Sequence, residues 1–90
     1  MFEMIVTRSF WIVDRGIVVV GQPLSSVEVG MQIEIWNPDG SAIDSTITGV
    51  EMRRPMRPND QVGLLLRGNK TLQCADDVQI GAYLRERRKR

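Results

Sequence analysis

Histidine is absent from this chain, cysteine occurs once, and aromatic residues make up only 6% of it. The usual general base near neutral pH, which is also the commonest metal ligand, is therefore missing. Cys74 cannot close an internal disulfide, so a reducing, cytoplasmic setting is expected. No imidazole exists to activate that thiol. The longest apolar run, Ile17 to Val20, is far too short for a membrane helix. No basic stretch followed by an apolar core opens the chain, so neither a secretory leader nor a membrane partner is expected. No Ser/Lys or paired-carboxylate spacing stands out, and Asp76 and Asp77 point to opposite sides if that segment is extended. A Gly-x-x-x-x-Gly-Lys-[Ser/Thr] loop is also missing, which excludes a nucleotide-phosphate cradle and GTP hydrolysis. The expectation is a protein that is no enzyme, has no cofactor and holds no metal.

What is present is alternation. Ninety residues make one domain with one core, and 42% hydrophobic with 26% charged residues argues against disorder. Helical periodicity is missing over any useful length; only the C-terminal tail has a helical tendency. Met4, Val6, Phe10 and Ile12 fall on one side of a long first strand, with Ile5, Thr7, Trp11 and Val13 on the other. Asp14 to Gly16 reads as a turn, and Ile17 to Val20 as a central strand, apolar on both faces. Pro23 marks a bend or an edge. Met31 to Trp36 alternates strictly, Asn37-Pro38-Asp39-Gly40 is the strongest turn signal, and Ile43 to Met52 returns as the partner with a kink at Gly49. Arg53 to Asn59 is a loop by composition, Gln61 to Arg67 a buried strand, Gly68 to Lys70 a turn, and Ala82 to Leu84 a short closing strand. This spacing predicts an all-β fold, a small closed Greek-key β-barrel of six to seven strands. The barrel domain spans residues 1–84 and a basic tail residues 85–90.

Three glycine-punctuated runs stand out: Arg15 to Gly21, Thr48 to Met52 and Val62 to Gly68. Phe10, Val29-Gly30 before Ile33-Glu34-Ile35, Lys70, Asp77-Val78, Gly81 and Leu84 complete an ordered set. In order and spacing this set resembles the second domain of elongation factor Tu, the β-barrel beside the GTPase domain in translational GTPases. The resemblance covers about Ser9 to Leu84. It implies a stand-alone copy of a domain that, in that family, cradles the 3′-terminal adenosine of aminoacyl-tRNA and touches the small ribosomal subunit. Glu51 stands where the family's glutamate meets the adenosine, and Arg54 where an arginine meets the 3′-end region. A carboxylate accepts from a ribose hydroxyl or base N–H, while a guanidinium suits phosphate. The chain also departs from the family. Thr7 and Arg8 replace an acidic pair suited to the α-amino group, Arg53 replaces an aromatic or histidine, Gln61 replaces an asparagine, and the loop after Met52 is shorter. An arginine in place of an ammonium-binding carboxylate is repulsive, so binding of aminoacyl-tRNA in the manner of the full factor is not expected.

The net charge of +1 conceals an asymmetry. Arg85, Arg87, Arg88, Lys89 and Arg90 against Glu86 give the tail +4, and the rest of the chain carries seven Lys/Arg against ten Asp/Glu, or −3. Such a tail is either a non-specific RNA clamp that releases counterions or a solubilising terminus. Arg8, Arg53, Arg54 and Arg57 form either one basic face or four dispersed surface charges. Phe10 is expected in the core or plugging a barrel end, and Trp36, beside its turn, partly exposed. The leading function is an RNA- or ribosome-associated module using Glu51, Arg53, Arg54, Arg57 and the tail. The alternative is a protein–protein adaptor that docks on a GTPase or another partner.

Overall fold

The structure, a computed structural model, describes residues 2–51, 60–68 and 77–87. Six antiparallel strands close into a barrel: β1 (Glu3–Ile12), β2 (Gly16–Pro23), β3 (Gln32–Trp36), β4 (Ala42–Glu51), β5 (Val62–Leu66) and β6 (Tyr83–Glu86). Their order round the barrel is β1-β2-β5-β4-β3-β6, with β6 returning to β1. β3, β4 and β5 run consecutively and β6 comes back beside β3, which is the Greek-key connection expected from the strand spacing. Closure leaves no free sheet edge. No α-helix occurs among the described residues, and none therefore is long and apolar enough to cross a membrane.

The alternation in the sequence becomes two sets of cross-strand rows, one facing in and one facing out. Met4, Leu84, Ile35 and Ile43 make one inward row, and Ile17, Leu66 and Ile47 another. Phe2, Ile33 and Leu64 are also fully buried. Each such side chain contributes about 1.5–3 kcal/mol when removed from water. Asn37 to Gly40 forms the expected turn. The Gly40 amide donates to the Asn37 carbonyl at 3.0 Å, and Gly40 takes φ 93°, a conformation that favours glycine. The Asn37 side chain is buried and pins the segment before β6. Its Nδ2 donates to the Asp77 carbonyl at 2.9 Å, and its Oδ1 accepts from the Gln79 amide at 2.9 Å.

Two strands carry β-bulges that reverse which residues face in. In β1 the register shifts between Val6 and Arg8, so Met4 and Val6 point inward while Ser9, opposite Val19, takes over the inward phase. In β4 the shift lies between Ile47 and Gly49, so Val50, opposite Leu64, points inward. A threonine sits at each extra position. The Thr7 hydroxyl donates to the Val20 carbonyl at 3.1 Å and the Thr48 hydroxyl to the Leu65 carbonyl at 3.2 Å. Each hydroxyl thereby ties its bulge to the neighbouring strand.

Two expectations are corrected. Phe10 is not in the core: it is 42% exposed, because the bulge at Thr7 sends Arg8 and Phe10 outward. The barrel does not end at Leu84, and Arg85 opens no helical tail. Arg85 and Glu86 lie in β6, and the Arg87 amide still donates to the Gln32 carbonyl at 2.8 Å.

Candidate nucleoside-binding groove

The two bulges bring one outward patch together. Register places Arg8, Val20, Gly63 and Glu51 in a row across β1, β2, β5 and β4. The adjacent row holds Phe10, Val18, Leu65 and Gly49. Gly63 and Gly49 leave the middle of this patch without side chains. A Cβ built on Gly63 would stand 3.5 Å from Val18 Cγ1 and 3.7 Å from Glu51 Cβ, which is ordinary contact. The space above Gly63 is thus bounded by these two side chains. Val18 faces outward yet is only 4% exposed, between its cross-strand partners Phe10 and Leu65.

Register and the two glycines imply a shallow groove with an apolar floor. Phe10, Glu51 and Arg8 stand on its rim, all exposed to solvent. An aromatic edge and a flat apolar floor suit a planar base, because every base has a π-face. The carboxylate accepts hydrogen bonds from ribose hydroxyls or an exocyclic amine, and the guanidinium suits phosphate. Among the described residues no group of three or more His, Cys, Asp and Glu is placed to hold a metal ion.

Only part of the residue set expected from the sequence gathers here. Glu51 ends β4 and faces the groove beside Gly63. Arg53, Arg54, Arg57, Arg88, Lys89 and Arg90 lie outside the described residues, as does Cys74. Arg85 and Arg87 are on a different part of the barrel, across β6, β3 and β4. Arg85 Nε donates to Glu34 Oε1 at 2.7 Å, and its guanidinium carbon lies 5.7 Å from the centre of the Trp36 ring. Its hydrogen bond and charge hold the Glu34 carboxyl below its ordinary value, against a smaller desolvation effect. Arg87 Nη1 lies 3.4 Å from Asp44 Oδ2. Arg85 is thus held between Glu34 and Trp36, whereas Arg87 has a longer, solvent-exposed contact with Asp44. Sequence reading missed Phe10, Gly63 and Gly49 as groove residues. The available signal was parity: strict alternation from Met4 and Val6 puts Arg8 inside the barrel, and from Ile43 and Ile47 it puts Glu51 there. A charge at an inward position calls for a bulge.

A third outward row, Ile5, Tyr83, Trp36 and Ala42, crosses β1, β6, β3 and β4. Ile5 is 49% and Trp36 42% exposed. The Tyr83 hydroxyl donates to Glu3 Oε1, and that hydrogen bond raises the phenol above its ordinary value. No family model matches the chain.

Proposed function

We propose that this protein is a non-catalytic β-barrel module that binds single-stranded RNA or a ribosomal RNA surface through the groove bounded by Phe10, Gly63 and Glu51. The motif resemblance to the second domain of elongation factor Tu supports this reading, because Glu51 matches the family's adenosine-contacting glutamate. The observation that carries it is physical. Two bulges turn Glu51, Phe10 and Arg8 outward around a floor that glycine keeps open. A strand interior gains nothing in stability from glycine, so an open floor between an aromatic ring and a carboxylate is a feature that binding explains.

The test is fluorescence anisotropy with a short RNA ending in a 3′ adenosine. Filling the floor with Gly63→Ala should weaken binding by about five- to a hundredfold, the range that losing one stacked base gives. Glu51→Gln should weaken a 3′-hydroxyl RNA more than a 3′-phosphorylated one. The reading fails if RNA does not bind at low salt, or if neither variant changes the affinity.

A second reading has its own observation. The outward row of Ile5, Tyr83 and Trp36 carries exposed Ile5 and Trp36 and shares no residue with the groove. Such a row fits a protein adaptor that docks on a GTPase or another partner. Capture from a nuclease-treated lysate separates the two: a partner that survives nuclease and depends on Trp36 favours the adaptor.

A further inference from the structure

A fourth outward row crosses β5, β4, β3 and β6, and the groove does not use it. Gln32 and Thr46 are register partners. The Arg67 amide donates to the Thr46 carbonyl at 3.0 Å, and the Arg87 amide to the Gln32 carbonyl at 2.8 Å. Those bonds set Arg67, Thr46, Gln32 and Arg87 in line across four strands, a guanidinium at each end with a hydroxyl and an amide between. A depression of about 160 Å³ lies along the row, lined by these four residues with Asp44 and Ser45. Arg67 makes no ion pair among the described residues. Among the described residues the one ion pair of Arg87 is its 3.4 Å contact with Asp44, with the two side chains 51% and 57% exposed. An exposed pair of that length is weak, and an incoming anion displaces it at little cost. Arg85, one row away, is unlike them: Glu34 and Trp36 tie it down.

We propose that this row is a phosphodiester track, holding the backbone of the RNA strand whose end sits in the groove. The inference rests on the RNA-binding reading above and extends it to the nucleotides upstream of the terminal one. Guanidinium groups fit phosphate in a bidentate manner, and the hydroxyl of Thr46 and the amide of Gln32 donate to phosphate and ribose oxygens. Three strand spacings separate the end positions by about 14 Å, so the two arginines meet different phosphates. Gly63, Leu65 and Arg67 alternate outward on one line of the chain. At about 6.7 Å for each two-residue step, the track starts about 13 Å from the groove floor. A strand leaving the groove reaches it within a few nucleotides. Asp44 opposes the same phosphates, which makes its removal informative.

The experiment measures affinity against salt concentration for a short oligouridine with a 3′-terminal adenosine, in linear form and closed into a circle. The circle has no 3′ end for the groove, so it reports the track. Arg67→Gln should flatten the log–log salt dependence by about 0.7 and the Arg67→Gln/Arg87→Gln pair by about 1.4, on both RNAs, since each lost phosphate contact removes about that slope on a single strand. Asp44→Asn should tighten both severalfold. Circular dichroism checks that each exposed substitution leaves the fold intact. Unchanged slopes in the arginine variants, with wild-type protein still binding RNA, overturn the track and leave the groove standing. Failure of the wild-type protein to bind either RNA overturns both.

Discussion

Gly21→Ala is a severe test of the packing described above. Gly21 lies in β2 opposite Val6 of β1 and Val62 of β5, and its side faces the core. A Cβ there would stand 2.3 Å from the Ile5 carbonyl oxygen, 2.9 Å from Met4 Cγ and 3.2 Å from the Ile5 carbonyl carbon. Met4 can turn aside; the Ile5 peptide cannot, because it is part of the ladder beside the β1 bulge. Restoring contact distance displaces β1 by roughly 1 Å, and overpacking of this kind costs about 1–3 kcal/mol. For a domain of this size that corresponds to a fall in Tm of about 4–24 °C. It is also a large share of a total stability of roughly 5–13 kcal/mol. Gly63→Ala is the internal control, since its Cβ meets nothing closer than 3.5 Å. It should leave stability unchanged or raise it by up to about 1 kcal/mol, as alanine for glycine in a strand does. Urea unfolding followed by circular dichroism gives both values. Equal midpoints for the two variants would refute the reasoning, because they would show that β1 yields freely at Ile5.

Three further outcomes follow from named contacts. Asn37→Ala leaves the Asp77 carbonyl and the Gln79 amide without their buried partner and should cost about 1–3 kcal/mol in urea unfolding, with faster amide exchange at Gln79. Thr48→Val removes the hydroxyl that satisfies the Leu65 carbonyl at the β4 bulge and should cost about 1 kcal/mol. Thr48→Ser, which keeps the hydroxyl, should cost less. The Glu34 carboxyl is lowered chiefly by the Arg85 hydrogen bond and the Asp39 carboxyl chiefly by the Ser41 hydroxyl. A carboxyl lowered in the folded state contributes stability above its unfolded value and loses it as pH falls through the folded one. The stability curve should therefore be flat above the ordinary carboxylate range and fall below it. Glu34→Gln with Asp39→Asn should reduce that slope, and an unchanged acid limb in the double variant would refute the assignment.

The parts of the fold written in local pattern were legible. Ile17 to Val20, apolar on both faces, is a central strand between β1 and β5. The Asn37 to Gly40 turn stands where residue chemistry puts it, and the irregularity expected at Gly49 lies one residue earlier, at Thr48. Phe10 was misplaced because parity was carried through Thr7 without a break, although Arg8 at an inward position already conflicted with that. The end of the barrel was set too early for a similar reason. The dense charge of Arg85 to Arg90 hides the alternation of Tyr83, Arg85 and Arg87 around inward Leu84. Of the candidate site, Glu51 is the residue that sequence reading also proposed. Its neighbours Arg8, Phe10 and Gly63 come from three other parts of the chain, and the row from Arg67 to Arg87 depends on the register of four strands. Such juxtapositions are set by barrel closure and shear, which no local spacing encodes.

The groove is tested most directly by nuclear magnetic resonance of the labelled protein as a single-stranded RNA with a 3′-terminal adenosine is added. The account predicts saturable amide shifts centred on Val20, Gly63, Leu65 and Glu51, which in Gly63→Ala need about five- to a hundredfold more RNA while the spectrum stays folded. An unperturbed spectrum at saturating RNA, or shifts confined to Ile5, Tyr83 and Trp36, would contradict it.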